Sequence, residues 1–238
     1  MKNIAIILSG GVGKRMNLDI PKQYMEIEGK PLLYYTIKAF QESFIDHIIL
    51  VCGKDDIENC KSEYITKYGF NKIKAVVAGG KERYNSVING LKAVNCNSDD
   101  NIYIHDGARP FVSLAILDRT RLCLDSEKAC IVGVAVKDTI KIVDDNGYVV
   151  DTPKRDSLYM IQTPQAFKYE LIKEAYNKLE NLESKGSIAD LKITDDAMVV
   201  EHFSGHKVKI VAGEYENIKI TSPEDIITAK EIIRERRL

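Results

Sequence analysis

The chain has 238 residues, 45% of them apolar, with 34 Lys+Arg against 35 Asp+Glu. That suits one large α/β domain, or at most two small ones, and excludes disordered and fibrous classes. A net charge of -1 gives no global field for nucleic acid or an anionic membrane, and apolar runs such as 4–8 and 131–136 fall far short of a bilayer span.

Residues 4–8 follow only Met1, Lys2 and Asn3, so they read as a first β-strand and not as a signal peptide; the expectation is a cytoplasmic protein. Further strands are predicted at 47–51, 73–77, 102–105 and 131–136. They alternate with helices predicted at 32–41, 56–68, 82–94, 114–125, 168–179 and 223–234. This alternation predicts a doubly wound, mostly parallel α/β sheet with helices on both faces, as one domain over 1–238. The run Ile-Ala-Ile-Ile-Leu at 4–8 is apolar at every position, as in a strand covered on both faces. Such sheets bind ligands at the carboxyl ends of their strands.

Residues 138–160 break the rhythm. Asn146-Gly147 stands between two β-rich runs, which predicts a hairpin. It would serve either as a lid over a site or as an arm that pairs with another subunit. The five cysteines, Cys52, Cys60, Cys96, Cys123 and Cys130, are odd in number and lack C-x-x-C spacing, so they read as reduced thiols. His202 and His206 flank Gly205 and read as turn residues, not as a metal pair.

The chemistry begins after the first strand, at Ser9-Gly10-Gly11-Val12-Gly13-Lys14-Arg15-Met16. Glycines let a backbone approach an anion closely, and successive N–H groups form a nest for phosphate oxygens. The run is neither a Walker A loop nor the dinucleotide fingerprint, which would need glycine where Met16 stands. Lys22, in Pro21-Lys22-Gln23-Tyr24, adds a second cation to that of Arg15, and the pair suits a triphosphate. Each residue taken singly also reads as a structural turn or a solvated cation. Asp106, after the strand at 102–105, suits a magnesium ion, although read alone it is more readily an N-cap or turn aspartate, and His105 reads as a packed histidine.

Gly-Gly-x-Gly-x-Arg-Met followed by Pro-Lys-Gln-Tyr resembles the opening of the cytidylyltransferases that activate sugar and polyol phosphates. Along the chain follow Ala-Gly-Gly-Lys-Glu-Arg-Tyr-Asn-Ser-Val from Ala78, His-Asp-Gly-Ala-Arg-Pro-Phe from His105, Val136-Lys137-Asp138-Thr139, Gln-Thr-Pro-Gln-Ala-Phe from Gln162, Thr194-Asp195-Asp196-Ala197 and Glu216-Asn217-Ile218-Lys219-Ile220-Thr221. The order is similar to that of the 2-C-methyl-D-erythritol 4-phosphate cytidylyltransferase family. The resemblance implies a Rossmann-like nucleotidyltransferase fold, CTP and a polyol phosphate as substrates, Mg2+ as cofactor, and a homodimer joined through the hairpin arm. It implies Arg15, Lys22 and Lys219 around the reacting phosphates, and Asp106 on the metal. It puts Ser9, Gly10, Gly11, Gly13, Gly80, Lys81 and Ser86 on CTP, and Arg109, Asp138, Thr139, Arg155, Thr163 and Thr194 on the polyol phosphate. In this reading Arg155 reaches the partner subunit's substrate.

Two departures mark the chain. The family usually has a small acidic or polar residue where Lys81 stands, which bears on base selectivity. It commonly has Ala-Ala-Gly where this chain has Ser9-Gly10-Gly11, an opening more like that of ribitol-5-phosphate cytidylyltransferases. Ribitol 5-phosphate is therefore the alternative substrate. Two readings of other classes stay open, a nicotinamide-dependent dehydrogenase and a non-catalytic nucleotide-binding regulator. The first lacks the third glycine of its fingerprint, and the second leaves the phosphate-facing cations without a role.

Overall fold

In the computed structural model, which describes residues 1–11, 21–186 and 191–238, β1 (Asn3–Ser9) lies inside a seven-stranded sheet. Its alternate side chains feed two cores. Ala5 and Ile7 join one apolar cluster, and Ile4 and Ile6 join the other. A strand apolar on both faces is stable only with helices on each side. Here α1 (Leu32–Gln41), α2 (Ile57–Cys60, continued as a π-helical turn over Lys61–Lys67) and α4 (Leu114–Cys123) cover the first face. α3 (Arg83–Ala93), α5 (Tyr169–Ser184) and α6 (Asp196–Ser204) cover the second. A third cluster gathers α7 (Pro223–Arg236), Leu32, Phe111 and Ile220 around Ile27 of the small hairpin formed by β2 (Glu26–Ile27) and β3 (Lys30–Pro31).

The other strands of the sheet are β4 (His47–Cys52), β5 (Ile73–Ala78), β6 (Asn101–Asp106), β7 (Ala129–Ala135), β10 (Tyr159–Lys168) and β11 (Lys209–Ala212), in the order β11-β7-β10-β6-β1-β4-β5. All neighbouring pairs are parallel except those of β10, which runs antiparallel to β6 and β7. The five expected strands are present. β10, β11 and α6 were not expected. β10 escapes the pattern because Gln162-Thr163-Pro164-Gln165 interrupts its apolar run, and its register against β7 shifts between Ile161 and Gln165. Such irregularities re-aim side chains beside functional sites.

Two expectations are corrected. His202 lies in the last turn of α6, its ring edge-on to Phe203 at 4.7 Å, and Gly205 at φ 66 ends the helix, so only His206 lies beyond it. The helix is stable there because Asp195 caps its N-terminus by accepting the Met198 N–H, and Gly205 adopts the left-handed conformation that stops it. The arm is shorter than 138–160, because Tyr159 and Met160 pair with Ala135 and Val134 in the main sheet. Its hairpin joins β8 (Ile142–Val143) to β9 (Val149–Asp151), with Gly147 at φ 84 in the turn.

Candidate active site

β1 and β6 are parallel neighbours, with Leu8 beside Asp106 in register. The chain leaves β1 for β4 and β5 on one side and comes back to β6 on the other. This is a topological switch point, where a crevice opens past the strand ends. A cleft of about 250 Å³ lies there and brings together Ser9, Gly10, Gly11, Lys22, Gly80, Lys81, Ser86, Asp106 and Lys219. Gly13 and Arg15 lie outside the described residues.

Local bonds hold the walls. Gln23 is buried, and its Nε2 donates to the carbonyls of Ser9 at 2.7 Å and Gly11 at 3.1 Å, clamping the start of the glycine loop. Lys22 precedes it on the same short helical turn and donates from Nζ to the Ile220 carbonyl at 2.8 Å. That bond brings the turn against the segment that carries Lys219. Elsewhere in the lining the Gly80 N–H donates to Ser86 Oγ at 3.0 Å, and that hydroxyl donates to the Glu82 carbonyl. Glu82 caps α3 reciprocally with Asn85, which fixes the helix start beside the cleft.

Asp106 holds the floor. Its Oδ2 lies 2.8 Å from Lys219 Nζ and 3.9 Å from Arg109 Nε, and its Oδ1 accepts from Arg83 Nε at 3.4 Å. Burial alone would push this carboxyl up. The cations of Arg83, Lys219 and Arg109 outweigh burial and hold it well below the usual carboxylate range. Its N–H donates to Thr163 Oγ1 at 3.0 Å. Neighbouring His105 is fully buried, and burial lowers its pKa to about 4, so the ring is neutral near pH 7. Its Nε2 faces the Arg109 carbonyl at 3.0 Å and so carries the proton; Nδ1 then accepts from the Thr163 hydroxyl at 3.0 Å. Thr163 thereby braces Asp106 from behind, its hydroxyl engaged by the protein on both sides. His105 is the packed histidine that its sequence context implied.

The other expected polyol-phosphate residues are spread more widely. Arg109 is largely buried and donates to the carbonyls of Asn217 at 2.8 Å and Ile161 at 3.4 Å. Thr194 lines a second depression that shares Lys81, Glu82 and Arg83 with the cleft. Asp138, Thr139 and Arg155 are exposed at the base of the arm and are not among the residues that line the cleft, and Arg155 Nη1 donates to the Lys137 carbonyl at 3.3 Å.

Sequence reading missed three residues. Gln23 is the clamp described above. Asn217 is fully buried, and its Nδ2 donates to Gln162 Oε1 at 3.2 Å and to the Thr163 carbonyl at 2.9 Å, tying the Lys219 segment to β10. Arg83 lines the cleft and reaches both Asp106 and Asp196. All three sit inside the quoted motifs, and that is the one signal the sequence offered.

Among the described residues, no three His, Cys, Asp or Glu side chains are grouped to hold a metal. Magnesium is commonly held by one or two carboxylates together with substrate phosphates and waters. An ionised Asp106 on the cleft floor fits that kind of site, and Glu82 also lines the cleft. No helix among the described residues is long and apolar enough to cross a membrane.

The family model of IspD, 2-C-methyl-D-erythritol 4-phosphate cytidylyltransferase, matches residues 3–235. The chain is 47% identical over 236 residues to the 2-C-methyl-D-erythritol 4-phosphate cytidylyltransferase of Lachnoclostridium phytofermentans, covering 99% of this chain and 98% of that one. Against the enzyme of that name from Alkaliphilus oremlandii it is 49% identical over 237 residues, covering 99% and 97%. The crystal structure of 4-diphosphocytidyl-2C-methyl-D-erythritol synthase from Anaerococcus prevotii DSM 20548 superposes with a TM-score of 0.83, at 38% identity and 98% coverage of both chains. These matches set aside the dehydrogenase and the non-catalytic regulator. Matched over nearly its whole length, the chain belongs to the 2-C-methyl-D-erythritol 4-phosphate cytidylyltransferase family.

Proposed function

We propose that the protein transfers the cytidylyl group of CTP to 2-C-methyl-D-erythritol 4-phosphate, giving 4-diphosphocytidyl-2-C-methyl-D-erythritol and diphosphate, a step of non-mevalonate isoprenoid synthesis. The observation that carries this reading is the meeting of Ser9, Gly10, Gly11, Lys22, Lys219 and Asp106 in one crevice at the β1/β6 switch point.

In this reading a phosphate oxygen of the polyol phosphate attacks the α-phosphorus of CTP. A P–O bond forms as the bond to the leaving diphosphate breaks. The nucleophile needs no general base, because a phosphomonoester is mostly doubly ionised at pH 7, its second pKa being about 6. The barrier is anion meeting anion and charge growing around the α-phosphate. Fixed cations answer both, since they need no reorganisation as charge develops. Lys22 and Lys219 supply them from opposite ends of the chain, and Arg15 is assigned the same role. The walls at Ser9–Gly11 and at Gly80–Ser86 hold the nucleotide. Asp106 would hold magnesium, which when bound neutralises triphosphate charge.

Arg109 and Thr194 are assigned to the polyol phosphate on their own chain. Asp138 and Thr139 are assigned to it as well, and Arg155 is assigned to the partner subunit's substrate in a homodimer. The exposed apolar side chains of the arm, Ile142, Val143, Tyr148, Val149 and Val150, support a second copy as the surface that covers them, since an isolated two-stranded hairpin is marginal in water. The free state of the five cysteines fits a reducing compartment such as the cytoplasm.

The test is diphosphate release with CTP and either 2-C-methyl-D-erythritol 4-phosphate or ribitol 5-phosphate. Faster turnover with the first is expected. Faster turnover with ribitol 5-phosphate would overturn the assigned substrate and make Ser9-Gly10-Gly11 the telling motif.

A further inference from the structure

We infer that Asp196, backed by Tyr176, is a positioning residue that acts on the reaction through Arg83; the inference rests on the proposed cytidylyl transfer. Asp196 is the first residue of α6 and is wholly buried. Its backbone N–H and that of Ala197 donate to Gln165 Oε1 at 2.9 and 3.0 Å, so β10 anchors the helix start. Its carboxylate receives both Nη groups of Arg83 at 2.8 Å each, and the Tyr176 hydroxyl donates to the same Oδ1.

The guanidinium is a rigid planar fork. With both Nη groups directed at Asp196, only Nε–H is turned to Asp106, at 3.4 Å on Oδ1. Asp106 Oδ2 is thereby left to Lys219, at 2.8 Å. Without the charge of Asp196, nothing keeps Arg83 from turning its fork onto Asp106 and blocking the carboxylate that faces the cleft. A buried ion pair is a poor route to stability, since desolvation offsets most of its attraction. This one stands one side chain behind the floor of the site. Tyr84 and Asn85, next to Arg83, are also held by Glu183 of α5, so α5 and α6 together set where the start of α3 meets the cleft.

The experiment is a double-mutant cycle of Arg83→Met and Asp196→Asn, read by diphosphate release and by calorimetric binding of CTP with magnesium. Each single variant should lose about 10- to 100-fold in kcat/KM and about tenfold in CTP affinity, the range found when a supporting residue behind a site is removed. The double variant should be no worse than Arg83→Met alone in either measurement, because Asp196 has no effect except through Arg83. Arg83→Lys should not rescue, because one ammonium cannot reproduce the fork. Tyr176→Phe keeps the ion pair and should lose activity by less than about fivefold. Losses that multiply in the double variant, or an Asp196→Asn enzyme equal to wild type, would overturn the inference. If Asp196→Asn does not fold, the double variant, which buries no unpaired charge, decides by whether it falls below Arg83→Met. A wild-type protein that releases no diphosphate with either polyol phosphate sinks the proposed function alone, and the calorimetric cycle then decides the role of Asp196.

Discussion

Lys219 Nζ stands 2.8 Å from Asp106 Oδ2, although the two residues come from opposite halves of the chain. The pair joins the end of β6, where Asp106 lies beside Leu8 in register, to the segment before α7. Lys219→Met should lower kcat by about 10²-fold, the loss typical of removing one preorganised electrostatic group. Stability should change by no more than about 1 kcal/mol, because Lys219 is 39% exposed and Arg83 and Arg109 still compensate Asp106. Steady-state diphosphate release and urea unfolding test the two halves of this expectation. Unchanged kcat would return Lys219 to the class of surface lysines.

Gly80 and Gly10 both line the cleft but differ in the room around them. A Cβ on Gly80 would meet Asn85 Cβ at 2.3 Å and the Asn85 backbone carbon at 3.0 Å, so the capped start of α3 would have to shift. A Cβ on Gly10 would meet Cys52 at no closer than 3.6 Å, an ordinary contact. Gly80→Ala should therefore cost about 1–3 kcal/mol, as overpacking does, and weaken CTP binding. Gly10→Ala should fold with near wild-type stability, and any loss of its CTP affinity then reports close approach of the ligand. Equal melting temperatures for the two variants would contradict this.

Asp100 offers a pH test away from the cleft. It is buried, and its carboxylate accepts the N–H groups of Lys2 and Asn97. Burial pushes its pKa up, but those N–H groups and the N-terminal ammonium outweigh burial and lower it below the ordinary 3.8. A folded-state pKa below the unfolded one means that the stabilisation is present above pH 3.8 and is lost as pH falls through the folded value. Asp100→Asn should cost about 1–2 kcal/mol at pH 7, as for hydrogen bonds to a charged group. The gap from wild type should close as pH drops below about 4. Urea melts at pH 7 and pH 3 that show the same gap would mean that the charge is not what Asp100 contributes.

The arm can be tested by subunit mixing. Lys22 lies in the cleft and Arg155 on the arm. Lys22→Ala and Arg155→Ala proteins should each be nearly inactive. If Arg155 acts on the partner's site, random exchange makes about half of the dimers hybrids, and each hybrid has one site with both residues intact, so about a quarter of all sites recover. If Arg155 acts on its own chain, every site still lacks one residue. Activity after exchange that stays at the level of the separate parents would exclude the trans role.

What the sequence by itself determined is the local part of this protein. The five apolar runs became strands because continuous apolar stretches must be covered on both faces, and the helices between them carry apolar stripes of helical period. The glycine loop, Lys22, Asp106 and Lys219 were legible because each lies inside a contiguous motif. The tertiary structure alone decided that β10 enters antiparallel between β6 and β7, since the polar residues that break its apolar run are there to hold other side chains: Gln165 anchors α6, and Thr163 braces Asp106 and His105. It also decided that Arg83 is tied to Asp196 and Asn217 to Thr163. An arginine, an aspartate or an asparagine read alone has the look of a solvated residue. Its role depends on which remote partner the packing brings within hydrogen-bond reach, and no local pattern in the chain encodes that distance.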